Sequence, residues 1–378
     1  MLPLPGIDDL GDIEGKRVLV RVDFNTPLVE VAGELTVSDD FRIRSAVVLF
    51  NELQSRGAQV VACTHLGRPN GRINTEYSVE PLRRRLNELC PGVTLLENLR
   101  FDLGEEANSL EFGQRLCEGF DAFVNEAFGV SHRQHSSIMV PPKLLPSVAG
   151  PNMLLEVSTL LGVFNEPQRP LVAIVGGAKV HDKLAITKKL SEKADRVLVG
   201  GGMAFTFWRA LGRSIGDSLV DDDQVEACRA LLESGKIVIP DDALGLRTGS
   251  SFGAEHNDEE VIAFDGEIPD GFLGLDIGVQ TRHNFAQEIG AAGTILWNGP
   301  MGVFEDNRLS CGTRSIAEAI AASTATSIIG GGDSAAAVAA FGMMDSFDFI
   351  STGGGASLEL MELGDLPGLR AIRECAWN

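Results

Sequence analysis

Nine short runs of apolar, often β-branched residues recur along the chain, each followed by a turn and then by a stretch of helical apolar period. In the first half they cover 17–25, 58–69, 93–101 and 121–130; in the second, 171–180, 196–204, 294–304, 326–335 and 349–357. The runs are nearly continuous rather than alternating, the pattern of strands covered on both faces. Strand, helix and strand in repeated order predicts parallel sheets, and 378 residues suffice for two domains. The chain therefore reads as α/β, with two doubly wound, Rossmann-like parallel-sheet domains. Segment 145–170 has Pro and Gly at both ends and a helical period between, so a hinge helix is expected over 148–168. The first domain is placed at 1–147 and the second at 169–362.

Acidic residues outnumber basic ones 53 to 32, giving a net charge of −21. Nucleic acid and anionic membranes are poor partners for such a chain, and neither is expected. The stretch MLPLPGIDDLGD lacks the basic and apolar regions of a signal peptide, and no apolar run approaches the ~18 residues of a membrane span. The six cysteines are scattered, with no C-x-x-C and no His at metal spacing. They read as single buried thiols in a reducing cytoplasm.

The halves differ in the residues just beyond their strands, the place where doubly wound sheets bind ligands. The first half places Asp23, Asn25, His65, Arg68, Arg100, Asn125, His132, Arg133 and His135 there. Arginines beyond three separate strands point to a small, multiply charged anion. Arg42 and Arg44 follow SDDF at a helix start, where a capped helix with solvated arginines explains them about as well. Glu97, Glu105 and Glu106 show no acid–base spacing and read as surface charge or turn partners.

The second half places glycines there, at 176–177, 200–202, 330–332 and 353–355, each opening a helix. Such turns expose N–H groups at helix N-termini, where the dipole favours phosphate. No P-loop pattern occurs. Residues 330–335 fit G-x-G-x-x-A, but the next strand ends in Ser351 and Thr352, not in the acid a dinucleotide ribose requires, so NAD is disfavoured. Lys179 and Lys183 share one face of a helix start and oppose its dipole; an anion between them removes the penalty. Asp333 suits an N-cap or a carboxylate for a metal that bridges nucleotide phosphates.

The stretches RVDFNTPL (21–28), HLGRP (65–69), LENLRF (96–101), NEAFGVSHRQHSS (125–137), GGAKVHDK (176–183), WNGPMGVFE (297–305), GGGDSAAAV (330–338) and STGGGASLE (351–359) resemble the phosphoglycerate kinase family, in order and over almost the whole chain. The resemblance implies reversible phosphoryl transfer between 1,3-bisphosphoglycerate and ADP, giving 3-phosphoglycerate and ATP with Mg²⁺. It implies phosphoglycerate on the first domain, nucleotide on the second, and a C-terminal segment, 363–378, that returns to the first. By motif, Asp23, Phe24, Asn25, Arg42, His65, Leu66, Gly67, Arg68, Arg100 and Arg133 correspond to the phosphoglycerate site. Gly177, Lys179, Lys183, Asn298, Glu305, Gly331, Gly332, Asp333 and Ser334 correspond to the nucleotide site, with Glu305 on the ribose and Asp333 on the metal. Arg42, Lys179, Lys183, Gly332 and Gly355 would act on the transferring group. A catalytically silent relative is expected to have lost Arg42, a phosphate lysine or Asp333, and all are present. A cytoplasmic monomer is expected, its domains closing over both substrates.

Three positions depart from the family pattern: Glu126 where Asp is usual, His181 inside the lysine motif, and Phe205 where Asn is frequent. Only 27 residues, 70–96, separate HLGRP from LENLRF. Residues 73–89 have the spacing of one helix, and no second crossover unit fits. The first sheet is therefore expected to lack one peripheral strand of the family.

Overall fold

Each half of the chain centres on a parallel sheet in the computed structural model, which describes residues 3–178, 180–254 and 258–375. Two units separate by contacts: Met1–Thr159 with Leu363–Asn378, and Leu160–Glu362. In the first lie β1 (Arg17–Arg21), β2 (Leu28–Val31), β3 (Glu34–Val37), β4 (Gln59–Cys63), β5 (Thr94–Leu95), β6 (Ala122–Asn125) and β7 (Ser147–Ala149). The sheet order is β5-β4-β1-β6-β7, all parallel, while β2 and β3 form a separate hairpin.

Strand β1 shows why its run is continuously apolar. Val18 and Val20 pack with Ile43, Phe50 and Leu86 on one face, and Leu19 packs with Cys63, Leu99 and Phe123 on the other. The chain runs outward from β1 to β5, then returns to β6 on β1's other side. That reversal opens a crevice at the carboxyl ends of the central strands.

Three expectations change. The helix expected over 73–89 starts at Glu80 and ends at Leu89, with Pro81 in its first turn, where a missing N–H costs nothing. Upstream, the Asn74 side chain caps a separate 3₁₀ turn, Thr75–Tyr77. The run 93–101 yields a strand of only two residues, β5, and places Arg100 on a 3₁₀ turn, Leu99–Phe101. The helix expected over 148–168 spans Pro151–Asn165, since 147–149 belongs to β7, and the division between units falls inside it. The helix Pro367–Cys375 packs against β7, with Gly368 N–H donating to Ser131 O at 2.9 Å.

The second unit contains β8 (Leu171–Val175), β9 (Arg196–Val199), β10 (Ile237–Val238), β11 (Ala243–Arg247), β12 (Ile262–Phe264), β13 (Phe272–Ile277), β14 (Thr294–Asn298), β15 (Thr326–Gly330) and β16 (Phe349–Ile350). Its parallel sheet runs β10-β9-β8-β14-β15-β16 and reverses between β8 and β14. A smaller antiparallel sheet, β12-β11-β13, was not expected from the sequence. It packs over Phe205 and Trp208, so Phe205 is a core residue here.

Glu126, just beyond β6, is buried and accepts from the N–H groups of Asn152 (3.2 Å) and Met153 (3.4 Å) at the start of the helix Pro151–Asn165. Burial, with Glu156 nearby, pushes its carboxyl up to about 8. The folded protein therefore holds a proton that the unfolded chain releases near 4.5, and stability falls as pH rises between those values. Asp276, pushed to about 7, adds to the fall lower in that window. Glu126→Gln should flatten the loss of stability between pH 7 and 8, by up to about 1.4 kcal/mol per pH unit. Urea unfolding across that range measures it, and an unchanged slope would contradict the assignment.

Candidate functional site

At the carboxyl edge of the first sheet, charged side chains from separate elements meet. Asp23 follows β1, and Arg42, in the first turn of the helix Phe41–Ser55, pairs with its carboxylate. His65 Nδ1 lies 3.8 Å from the other carboxylate oxygen. Burial disfavours the Asp23 charge, yet the Arg42 and Arg21 guanidinium groups and the Asn25 N–H hold its carboxyl below the usual range. Arg44, two positions along the helix, faces away and pairs with Asp40 at the surface.

Asn98 stitches two loops together. Its Oδ1 accepts from the N–H groups of Leu66 and Arg100, both at 3.1 Å, and its Nδ2 donates to Leu66 O (2.7 Å) and Tyr77 O (2.9 Å). Arg100 Nη1 donates to Gly67 O at 2.7 Å, and Gly67 N–H donates to Asn25 Oδ1 at 2.9 Å. Gly67 sits at φ +60°, and a Cβ there would come within 2.4 Å of the Tyr77 ring. Arg100 is buried and its Nη2 has no hydrogen-bond partner. Burial pushes His65 well below the usual imidazole range and His135 down to about 4, with Arg100, Arg133 and Arg21 opposing a further positive charge. Three guanidinium groups thus surround neutral imidazoles, and Arg133 makes no ion pair among the described residues. The pocket is short of negative charge.

Not every residue singled out joins it. Phe24 is buried in the core and contributes its backbone, whose N–H donates to Thr64 Oγ1 at 3.0 Å. Arg68 is exposed. The buried Asn125 amide holds Ser131 Oγ and Ala127 N–H. Glu105, read as surface charge, is wholly buried: it accepts from Ser137 and faces Arg21, itself missed in the sequence. Glu97 is a turn partner as expected, accepting from the N–H groups of Val79 and Asn98.

The second unit has a cavity of about 560 Å³ at the carboxyl edge of its sheet. Leu219, Phe252, Leu273, Leu275 and Val303 give it an apolar wall; Gly177, Gly201 and Gly202 also line it, with Asp217, Glu305 and Asp333 as carboxylates. The helices Gly332–Ala340 and Gly354–Leu363 begin side by side, since a Cβ on Gly354 would lie 2.9 Å from Gly332 N. Gly355 is exposed in the first turn of the second helix. Gly331 is at φ +103°, and a Cβ there would meet Asn298 Nδ2 at 3.0 Å. That Nδ2 is buried without a hydrogen-bond partner. Lys183 Nζ donates to Gly176 O and lies 3.5 Å from Asn298 O, at the strand-order reversal. The Ser334 hydroxyl accepts from Gly299 N–H at 2.6 Å and so braces the turn. Lys179 lies outside the described residues.

No group of three or more His, Cys, Asp or Glu among the described residues could hold a metal alone. Asp333, exposed in the first turn of its helix, makes no hydrogen bond or ion pair among them. One carboxylate plus substrate phosphates is the usual Mg²⁺ arrangement in nucleotide sites, and these residues fit it. Sequence reasoning missed the apolar wall, although the L-G-L alternation in β11 and β13 between Asp, Gly and Pro turns marks those strands.

The profile of the family Phosphoglycerate kinase matches residues 7–92 and 91–363, two stretches that meet in the turn between the helix Glu80–Leu89 and β5. A phosphoglycerate kinase of Picosynechococcus sp. is 44% identical over 391 residues, covering 96% of each chain. One of Salinispora tropica is 45% identical, covering 97% of this chain and 98% of its own. Among solved structures, phosphoglycerate kinase from Coxiella burnetii superposes with a TM-score of 0.84 at 33% identity, over 99% of this chain and 100% of that one. That from Pyrococcus horikoshii gives 0.82 at 28%, over 97% and 98%.

Asn98→Ala should cost about 2–3 kcal/mol in denaturant unfolding, because it strips partners from buried backbone groups in two loops. A loss below about 0.5 kcal/mol would show that the loops hold without it.

Proposed function

The chain belongs to the phosphoglycerate kinase family and transfers a phosphoryl group reversibly between 1,3-bisphosphoglycerate and ADP, giving 3-phosphoglycerate and ATP; from that premise we propose that the two strand-end sites divide the work, phosphoglycerate on the first unit and nucleotide on the second. The observation that carries this division is the pair of adjoining helix N-termini beside the cavity of the second unit, a backbone anion site. The arginine-rich pocket of the first unit complements it, with a buried guanidinium whose Nη2 lacks a partner.

In this reading the base stacks on the wall of Leu219, Phe252, Leu273 and Val303, and Glu305 accepts from the ribose hydroxyls. The N–H groups at Gly332 and Gly355 donate to phosphate oxygens, and Lys183 leaves the Gly176 carbonyl for them. Lys179 takes the same role by motif. Asp333 would hold a Mg²⁺ together with the nucleotide phosphates, and the ion would supply positive charge at the transferring group. Asp23, Asn25, His65, Arg100 and Arg133 hold phosphoglycerate, and Arg68, exposed without ligand, joins them when it binds. Its carboxylate is already ionised, so no general base is required; positioning and charge neutralisation carry the rate. Arg42, oriented by Asp23, supplies the neutralising charge on the phosphoglycerate side.

The family match breaking at 91–92 supports a shortened crossover there, peripheral to every proposed ligand. No helix among the described residues is long and apolar enough to cross a membrane, and five cysteines are free thiols.

Arg42→Ala should leave the fold intact and lower kcat about a hundredfold to a thousandfold, the effect of removing one preorganised donor. An unchanged kcat would remove Arg42 from the reaction. Asp333→Ala should weaken Mg-ATP binding in calorimetry, and wild-type affinity would refute its place on the metal.

A further inference from the structure

A buried chain of polar groups leads through the first unit to His65. Glu105, fully buried, accepts from Ser137 N–H at 2.9 Å and from the Ser137 hydroxyl at 2.7 Å. The Ser137 hydroxyl oxygen accepts from Arg21 Nε at 2.9 Å. Arg21, also fully buried, donates through Nη1 to Val22 O and through Nη2 to His65 Nδ1 at 3.3 Å. Its Nη2 lies 3.9 Å from Glu105 Oε1.

Every link has a fixed direction. A carboxylate only accepts and a guanidinium only donates, so the hydroxyl between them must relay from one to the other. At the far end, Arg21 requires a lone pair on His65 Nδ1. The neutral ring's single proton then sits on Nε2. Nε2 has no hydrogen-bond partner among the described residues, and the His65 side chain keeps 4% exposure. An N–H there is free to donate to an anion. The opposite tautomer would set N–H against N–H at Arg21 and offer the ligand a repelling lone pair.

We propose that Glu105, acting through Ser137 and Arg21, is a positioning residue for phosphoglycerate: it holds His65 in the Nε2–H tautomer, so that a neutral imidazole becomes a donor to the bound anion. The proposal rests on the reading of this pocket as the phosphoglycerate site. Glu105 also balances the buried Arg21 charge, which, left unpaired, would be drawn toward Asp23 and away from the ring.

Two measurements test it on the full chain. Long-range ¹H–¹⁵N correlation of ¹⁵N-histidine-labelled protein at neutral pH, without ligand, should show His65 with a protonated Nε2 and an unprotonated Nδ1, the signal assigned by its loss in His65→Gln. A protonated Nδ1, or a doubly protonated ring, would overturn the proposal. Glu105→Gln should raise the KM for 3-phosphoglycerate on the order of tenfold and shift the His65 nitrogens, with kcat and the KM for Mg-ATP as in the unaltered protein. If that variant does not fold, Ser137→Ala breaks the same relay and carries the same expectation. A folded variant with unaltered KM and unaltered His65 signals would overturn it. Should the unaltered protein show the Nε2–H tautomer yet fail to bind 3-phosphoglycerate in calorimetry, the site reading has failed, and with it the ligand named here.

Discussion

Parallel pairing is the constraint on which the rest of this molecule depends. Because all strands of each large sheet point one way, every crossover helix returns the chain to the same edge. The residues just past β1, β4 and β6, or β8, β14 and β15, therefore gather at one rim although they lie far apart in sequence. The interior of each strand is committed to two cores at once, as Val18 and Leu19 show. Chemistry is confined to the positions where the strands stop.

On the proposed division of the two sites, the rims would bind phosphate-bearing ligands in different ways. The first gathers guanidinium groups, whose burial would be prohibitive unless paired. Hence Asp23, Glu105 and Glu106 sit among Arg42, Arg21 and Arg100 and offset part of their charge, leaving the pocket net positive. The second sets backbone N–H groups at its glycine turns, with Lys183 beside Gly177 and Asp333 just past Gly332 as the charges nearby. Backbone N–H groups approach closely because Gly331 and Gly177 adopt φ values near +100° that a side chain would resist, with Asn298 and Lys183 packed against them.

How much of this the sequence discloses depends on the range of each interaction. The parallel strands were legible because a run such as Leu171–Val175, buried on both faces, leaves a local trace. The glycine turns were legible for the same reason. Glu105 was not, since nothing in LGEE tells a surface carboxylate from one buried against Arg21, 84 residues earlier. Asn98 was missed likewise: its four hydrogen bonds reach loops set by tertiary packing. The helix expected over 73–89 was overextended because apolar spacing continues through Thr75–Tyr77 while the chain is already turning. The antiparallel strands β11–β13 are short and broken by glycine, which weakens the signal of alternation.

The central claim is that the two rims cooperate in a single transfer. A coupled assay that tracks ATP formation when the purified chain meets 1,3-bisphosphoglycerate and ADP, with and without Mg²⁺, tests it most directly. The account predicts ATP formation that requires both substrates and collapses when Mg²⁺ is chelated. A folded chain that binds both substrates and forms no ATP would contradict it.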